Sequence, residues 1–263
     1  MKKFRLAMIG GGFLNSIVAE AVKDGVLSAD YELVAVFSNS IESATAFTKE
    51  FGGKPCDSIE ALLAEKPDYT VEAARVHAVS AYAEAVVSAG SNLVVLSIGA
   101  FADADLLQRV KDKAAANACK VYIPSGAVGG FDVMRTAALM SPITASITSL
   151  RSPRDVAHTA LGFDGILDIT EPTEVFRGTT EEAIKHLPTH VNVGIATALA
   201  SAGPKNTDID IHVIPGYQGD EFIIQVEGEE VRAELKIYSR TCRIAGWSVV
   251  ATLQNIASPI EFF

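Results

Sequence analysis

Cysteine is scarce and scattered. The three that occur, Cys56, Cys119 and Cys242, are odd in number and far apart. There is no CxxC pair and no Cys/His spacing that suits a metal, so neither a disulfide framework nor a metal site is expected. A reducing, cytoplasmic setting is the simplest match. No apolar run approaches the ~18 residues of a membrane span. The early apolar run at 6–9 stops at three glycines, too short for a secretion signal. Basic residues are also in deficit: 22 Lys and Arg against 32 Asp and Glu give a net charge of −10. Nucleic acid needs a basic footprint, so DNA and RNA are not expected partners. Low-complexity tracts and solenoid repeats are missing too.

What is there is apolar. Hydrophobic residues make up 49% of 263 positions. That excludes disorder and allows one large domain or two small ones. Apolar runs at 4–9, 31–37, 68–73, 92–96 and 119–123 alternate with helical spacings at 14–22, 41–51, 77–89 and 103–116. Ser58 and Asp103 are placed to cap helices. Such alternation predicts a parallel sheet covered on both faces. After about residue 140 the chain turns β-rich, at 143–150 and 209–214. Residues 222–226 and 231–238 read as a hairpin.

One loop carries chemistry. Met8-Ile9-Gly10-Gly11-Gly12-Phe13-Leu14-Asn15 joins the first strand to the first helix. A dinucleotide fold asks for G-x-G-x-x-G here. Gly10 permits the turn and Gly12 lets a pyrophosphate approach. Phe13 and Leu14 open a helix whose free N–H groups favour an anion. Asn15 stands where the third glycine is usual. At the tip of the second strand, Phe37-Ser38-Asn39-Ser40 offers no carboxylate to hold a ribose 2′-hydroxyl and no arginine to attract a 2′-phosphate. Ser38 and Asn39 are the ribose candidates, and the cofactor is NADP or NAD, with NADP accepted at least as readily.

Further on, Ile123-Pro124-Ser125-Gly126-Ala127-Val128-Gly129-Gly130-Phe131-Asp132 resembles the I-P-S-G-A-[IV]-G-G-[LF]-D segment of the L-aspartate dehydrogenases. Val71-Glu72-Ala73-Ala74, Leu96-Ser97-Ile98-Gly99-Ala100, Phe176-Arg177-Gly178 and Leu187-Pro188-Thr189-His190-Val191-Asn192-Val193 match other family motifs in the same order. Residues 241–253 resemble the family's final helix. The resemblance spans about residues 4–263. It implies a Rossmann-type, doubly wound parallel sheet with a second α/β domain for substrate and dimerisation. The domains fall at 1–140 and 141–240, with 241–263 a helix returning to the first. The implied reaction is reversible oxidative deamination of L-aspartate through iminosuccinate to oxaloacetate and ammonia. Ala73, Ala74, Ala127 and Asn192 become implied cofactor contacts. Ser125, Gly126 and Arg151 become implied substrate contacts, and a homodimer is implied as well. The glycines around Ser125 favour close backbone approach, and free N–H groups there suit a carboxylate.

The chain departs from the family where the catalytic histidine belongs. Phe222 occupies that position, Asp220 replaces the preceding asparagine, and Ile223 replaces the following glutamate. Ser152 replaces a lysine beside Arg151. Phenylalanine cannot accept a proton. His212, ten residues earlier, is the nearest alternative base, and strand alternation puts it on the face of Asp210. His190 is the other histidine to consider. Asp220, Glu221 and Tyr238 are further candidate proton carriers. The expected function is an NAD(P)-dependent amino-acid dehydrogenase with a small-molecule substrate, aspartate or a diverged one. The alternative is a cofactor-binding sensor without turnover.

Overall fold

The computed structural model describes residues 2–187 and 191–262. Strand and helix alternate at first: β1 (Phe4–Ile9), α1 (Phe13–Lys23), β2 (Tyr31–Phe37), α2 (Ile41–Phe51), β3 (Lys54–Cys56), α3 (Ile59–Leu63), β4 (Tyr69–Glu72), α4 (Val76–Ser88), β5 (Asn92–Val95), α5 (Ala104–Ala116) and β6 (Val121–Tyr122). Then come α6 (Phe131–Met140), β7 (Thr144–Arg151), α7 (Pro153–Val156), β8 (Thr173–Thr179), α8 (Thr180–His186), α9 (Asn192–Ala200), β9 (Thr207–Val213), β10 (Asp220–Glu227), β11 (Arg232–Ser239) and α10 (Arg243–Ala257). Two compact units result: Met1–Gly126 with Arg243–Phe263, and Ala127–Cys242.

The first unit is a Rossmann-type sheet of six parallel strands, in the order β3-β2-β1-β4-β5-β6. Helices shield such a sheet on both faces, so its strands read as unbroken apolar runs; Leu6 to Ile9 are all buried. Ser40, Ser58 and Asp103 cap the helices they precede by accepting N–H bonds from Ser43, Ala61 and both Asp105 and Leu106. The switch in strand order falls between β1 and β4, which opens a crevice at their C-terminal ends. α10 packs on α1. Val249, Val250 and Leu253 share one apolar cluster with Val18 and Val22. The buried Tyr31 hydroxyl donates to the Leu253 carbonyl at 2.7 Å. Burial pushes that phenol's pKa far up, so it stays a neutral donor.

The second unit is a mixed five-stranded sheet, β11-β10-β7-β9-β8, in which β7 and β9 run parallel and the other neighbours antiparallel. β7 alternates between buried positions and exposed or half-exposed ones. Its inner residues Ala145 and Ile147 join Met134 and Ala137 of α6 and Ala183 of α8 in a single core. The hairpin forms, its first strand longer than the apolar run at 222–226 and its second shifted by one residue from 231–238. Among the described residues, no helix is long and apolar enough to cross a membrane. Nor does any group of three or more His, Cys, Asp or Glu there suit a metal ion.

Candidate functional site

In the first unit, the tips of β1, β2 and β4 converge at the crevice. Gly10 donates its N–H to the Phe37 carbonyl at 2.7 Å. Its φ is +101°, and a Cβ there would lie 3.0 Å from the Ala74 Cβ and 3.2 Å from the Ala73 carbonyl oxygen. Glycine is therefore required both by backbone angle and by close approach. The Gly11 N–H donates to Ser38 Oγ at 3.3 Å. Gly12 is different: a Cβ there would meet nothing within 4 Å. The space before it is open, and it sits at the N-terminus of α1. The first-turn N–H groups and the helix dipole there favour an anion. Gly10 thus packs against Ala73 and Ala74, Gly11 lies beside Ser38, Gly12 and Phe13 line the adjoining cleft, and Leu14 follows on α1.

Asn15 is fully buried. Its Nδ2 donates to the carbonyls of Ile9 at 3.0 Å and Gly10 at 2.7 Å. The amide pins the glycine turn to α1, so a side chain replaces the third glycine by bonding to the strand rather than by yielding space. Its Oδ1 has no protein partner.

At the tip of β2, Ser38 Oγ lies 3.2 Å from both Asn39 Oδ1 and Ser43 Oγ. A cleft runs from Gly11, Gly12 and Phe13 to Ser43, Phe47 and Glu50 on α2. Two residues that shape this crevice escape sequence reasoning. Glu72 is 1% exposed. It accepts the Ala74 N–H at 2.8 Å, the Ser97 N–H at 3.0 Å and the Ser97 hydroxyl at 2.8 Å. Desolvation pushes its pKa up, against the pull of those donors. Ser97 is the second. A clue to Glu72 was visible: an acid ends an otherwise apolar strand.

Ser125 and Gly126 end the unit's first segment. Gly126 is left-handed, at φ +62°. Its N–H donates to Ser248 Oγ at 3.0 Å. That corrects the expectation of a free donor for a substrate carboxylate at Gly126.

In the second unit, Arg151 ends β7 and is 4% exposed. Its Nε and Nη2 donate to Ser149 Oγ at 3.1 and 2.7 Å. Burial pulls the guanidinium's pKa down, while Asp220 and Asp155 push it back up. One rung beyond the last β7–β10 pair, Glu221–Leu150, Asp220 stands opposite Arg151. Phe222 pairs with Ser149 and lies 4% exposed on the same inner face. His212 does not join them. It pairs with Leu150, while Arg151 pairs with Val213. Adjacent strand positions face opposite sides, so His212 projects from the outer face. There it lies 3.9 Å from Glu174, whose partner Arg177 also faces Asp210. His212 and Arg151 therefore face opposite sides of this sheet.

Glu221 is bound to Lys236 at 2.9 Å and accepts the Tyr217 hydroxyl at 3.0 Å. The Lys236 bond leads in holding its carboxyl below the usual range. Tyr238 donates to the Gln218 carbonyl. Ala127 is half-buried ahead of α6, and Asn192 opens α9. His190 lies outside the described residues.

A family profile described as "Homoserine dehydrogenase, NAD binding domain" matches residues 8–124. One described as "Aspartate dehydrogenase, C-terminal" matches residues 132–256. L-aspartate dehydrogenase of Methanocella arvoryzae is 29% identical over 272 residues, covering 98% of each chain. That of Methanosarcina barkeri is 29% identical over 269 residues, again covering 98% of each. The crystal structure of aspartate dehydrogenase from Thermotoga maritima superposes with a TM-score of 0.80 over 100% of both chains, at 23% identity, and so shares the fold.

Proposed function

We propose that the chain, which is similar along nearly its whole length to L-aspartate dehydrogenases, is an NAD(P)-dependent oxidoreductase acting on the CH–NH2 group of L-aspartate or a related amino acid. The observation that carries this is the open space before Gly12, at the N-terminus of α1. When bound, the nicotinamide cofactor accepts the hydride from the substrate Cα, or returns it to the imine. The N–H groups of Phe13 and Leu14 receive the pyrophosphate. Ser38 and Asn39 receive the adenosine ribose, and Ala73 and Ala74 pack beside the glycine turn. Ala127 and Asn192 are nicotinamide contacts by family resemblance. Arg151 holds a substrate carboxylate, its fork kept in plane by Ser149. Asp220, on the face of Arg151, takes the proton in this reading.

Mixing the protein with NADPH or NADH, oxaloacetate and ammonia, and following nicotinamide absorbance, tests this. Oxidation of the cofactor is the expected result. No turnover with any 2-oxo acid, despite cofactor binding, favours the second reading, a cofactor-dependent sensor. Phe222 is the observation behind that reading, because it fills the family's histidine position with a buried ring. NADP is accepted at least as readily as NAD. A homodimer completes the proposal, and light scattering reports it as twice the 27.8 kDa chain.

A further inference from the structure

We propose that Arg243 is a cofactor-binding residue, which supplies a cation to the pyrophosphate at the N-terminus of α1; this rests on the nicotinamide-cofactor reading above. The argument begins with a glycine. Gly246 lies on α10, and a Cβ there would stand 2.8 Å from Ile17 Cδ1 and 3.2 Å from the Leu14 carbonyl oxygen. The missing side chain lets α10 lie directly on the first turns of α1. Residues three apart share a helix face, so this contact carries Arg243 to the start of α1. There its guanidinium carbon lies 5.9 Å from the centre of the Phe13 ring, within the range of a cation–π contact.

Phe13 is unusual for a large apolar residue, being 52% exposed at the mouth of the glycine loop. It immediately follows Gly12, before which the space is open. The ring makes a platform that holds a cation at the rim of the loop. The need for one is plain. A chain of net charge −10 must admit an anionic cofactor, and the cleft beside the loop carries Glu50. A guanidinium recognises a phosphate through a planar fork of donors, so Arg and Lys are not equivalent there.

The test is cofactor binding by intrinsic fluorescence and calorimetry, with thermal melting alongside, on the full chain and the variants Arg243→Gln, Arg243→Lys and Phe13→Ala. Arg243→Gln is expected to weaken NADPH and ADP-ribose about tenfold or more, with unchanged melting. The 2′-AMP affinity, which involves no pyrophosphate, should stay as it was. Arg243→Lys should recover part of the loss, and Phe13→Ala should show a smaller loss with the same ligand pattern. Added salt should weaken the unsubstituted protein more than Arg243→Gln. Equal affinity of Arg243→Gln and the unsubstituted chain for ADP-ribose overturns the assignment and leaves the cofactor reading intact. An equal loss for 2′-AMP overturns it as well. An unsubstituted chain that binds none of the three ligands overturns both.

Discussion

Glu72 accepts both donors of Ser97, the backbone N–H and the hydroxyl, and so ties the tip of β4 to the chain beyond β5. The same carboxylate accepts the Ala74 N–H, and Ala74 is the residue that crowds Gly10. A buried acid thereby sets the wall of the cofactor crevice. Glu72→Gln presents an amide N–H2 to donors and should cost about 1–3 kcal/mol of stability near neutral pH. The pH dependence has a definite sign. Burial raises the folded pKa of Glu72. An acid of this kind contributes its stability in full below the unfolded value and loses it as pH rises through the folded one. Melting curves of both proteins across acid to neutral pH should therefore show the unsubstituted chain losing stability over that window and Glu72→Gln not sharing the loss. Parallel curves would remove Glu72 from the account.

Gly10 and Gly12 should separate folding from binding. Gly10→Ala forces a side chain into a left-handed backbone angle and against Ala74, at a cost of about 1–3 kcal/mol. Its melting temperature should fall. Gly12→Val meets no protein atom at its Cβ, so its melting temperature should hold. Cofactor affinity should drop at least tenfold, about 1.4 kcal/mol. Unchanged affinity by calorimetry would reduce the glycine loop to a turn.

The fold was largely legible because two physical periods mark the two sheets. Unbroken apolar runs such as 6–9 announce strands buried on both faces, and the alternation in Ile209-Asp210-Ile211-His212-Val213 announces a sheet with one polar face. The glycine loop was legible because Gly10 needs a backbone angle few residues tolerate. The role of Asn15 is not legible, since the two carbonyls it bonds are brought to it by the turn itself. The partners of Glu72 and Arg243 are hidden for the same reason: they lie 25 and 230 residues away in sequence. The face of His212 was read correctly against Ile211 and Val213. What alternation within one strand could not say is which face carries Arg151; that depends on the β7–β9 register.

Phe222 offers a direct test of how far the second unit has diverged. The ring is buried beside Ser149, one step inside the layer of Arg151 and Asp220. Phe222→His places an imidazole in reach of that layer and removes an apolar group from a packed core. Stability should fall by about 1–3 kcal/mol. Activity with L-aspartate should rise modestly, because a base about 1 Å out of place forfeits ~10²-fold. Asp220→Asn should do the reverse, lowering kcat by ~10²–10⁴-fold, and should lower melting too, because Asp220 offsets the buried charge of Arg151. If instead His212→Ala abolishes a brisk L-aspartate activity without unfolding the protein, the outer face holds the base and the site lies elsewhere.

Cofactor choice should be decided at Ser38. The 2′-phosphate of NADP adds about 1.5–2 negative charges at neutral pH, and the tip of β2 meets it with hydroxyls. Ser38 Oγ is 3.2 Å from Ser43 Oγ, and Ser40 caps α2 with its own hydroxyl. Ser38→Glu sets a carboxylate at this tip. Two unit charges about 4 Å apart near a protein surface repel by ~4 kcal/mol before salt screening. The variant should lose NADPH affinity by about tenfold or more, and NADH should hold or improve, since a carboxylate can accept both ribose hydroxyls. Fluorescence titration of both cofactors against both proteins decides the matter. A strong preference for NADH in the unsubstituted chain would contradict the reading of this tip, and an equal loss of both cofactors in Ser38→Glu would show that Ser38 shapes the loop through its bond with Gly11 rather than choosing between them.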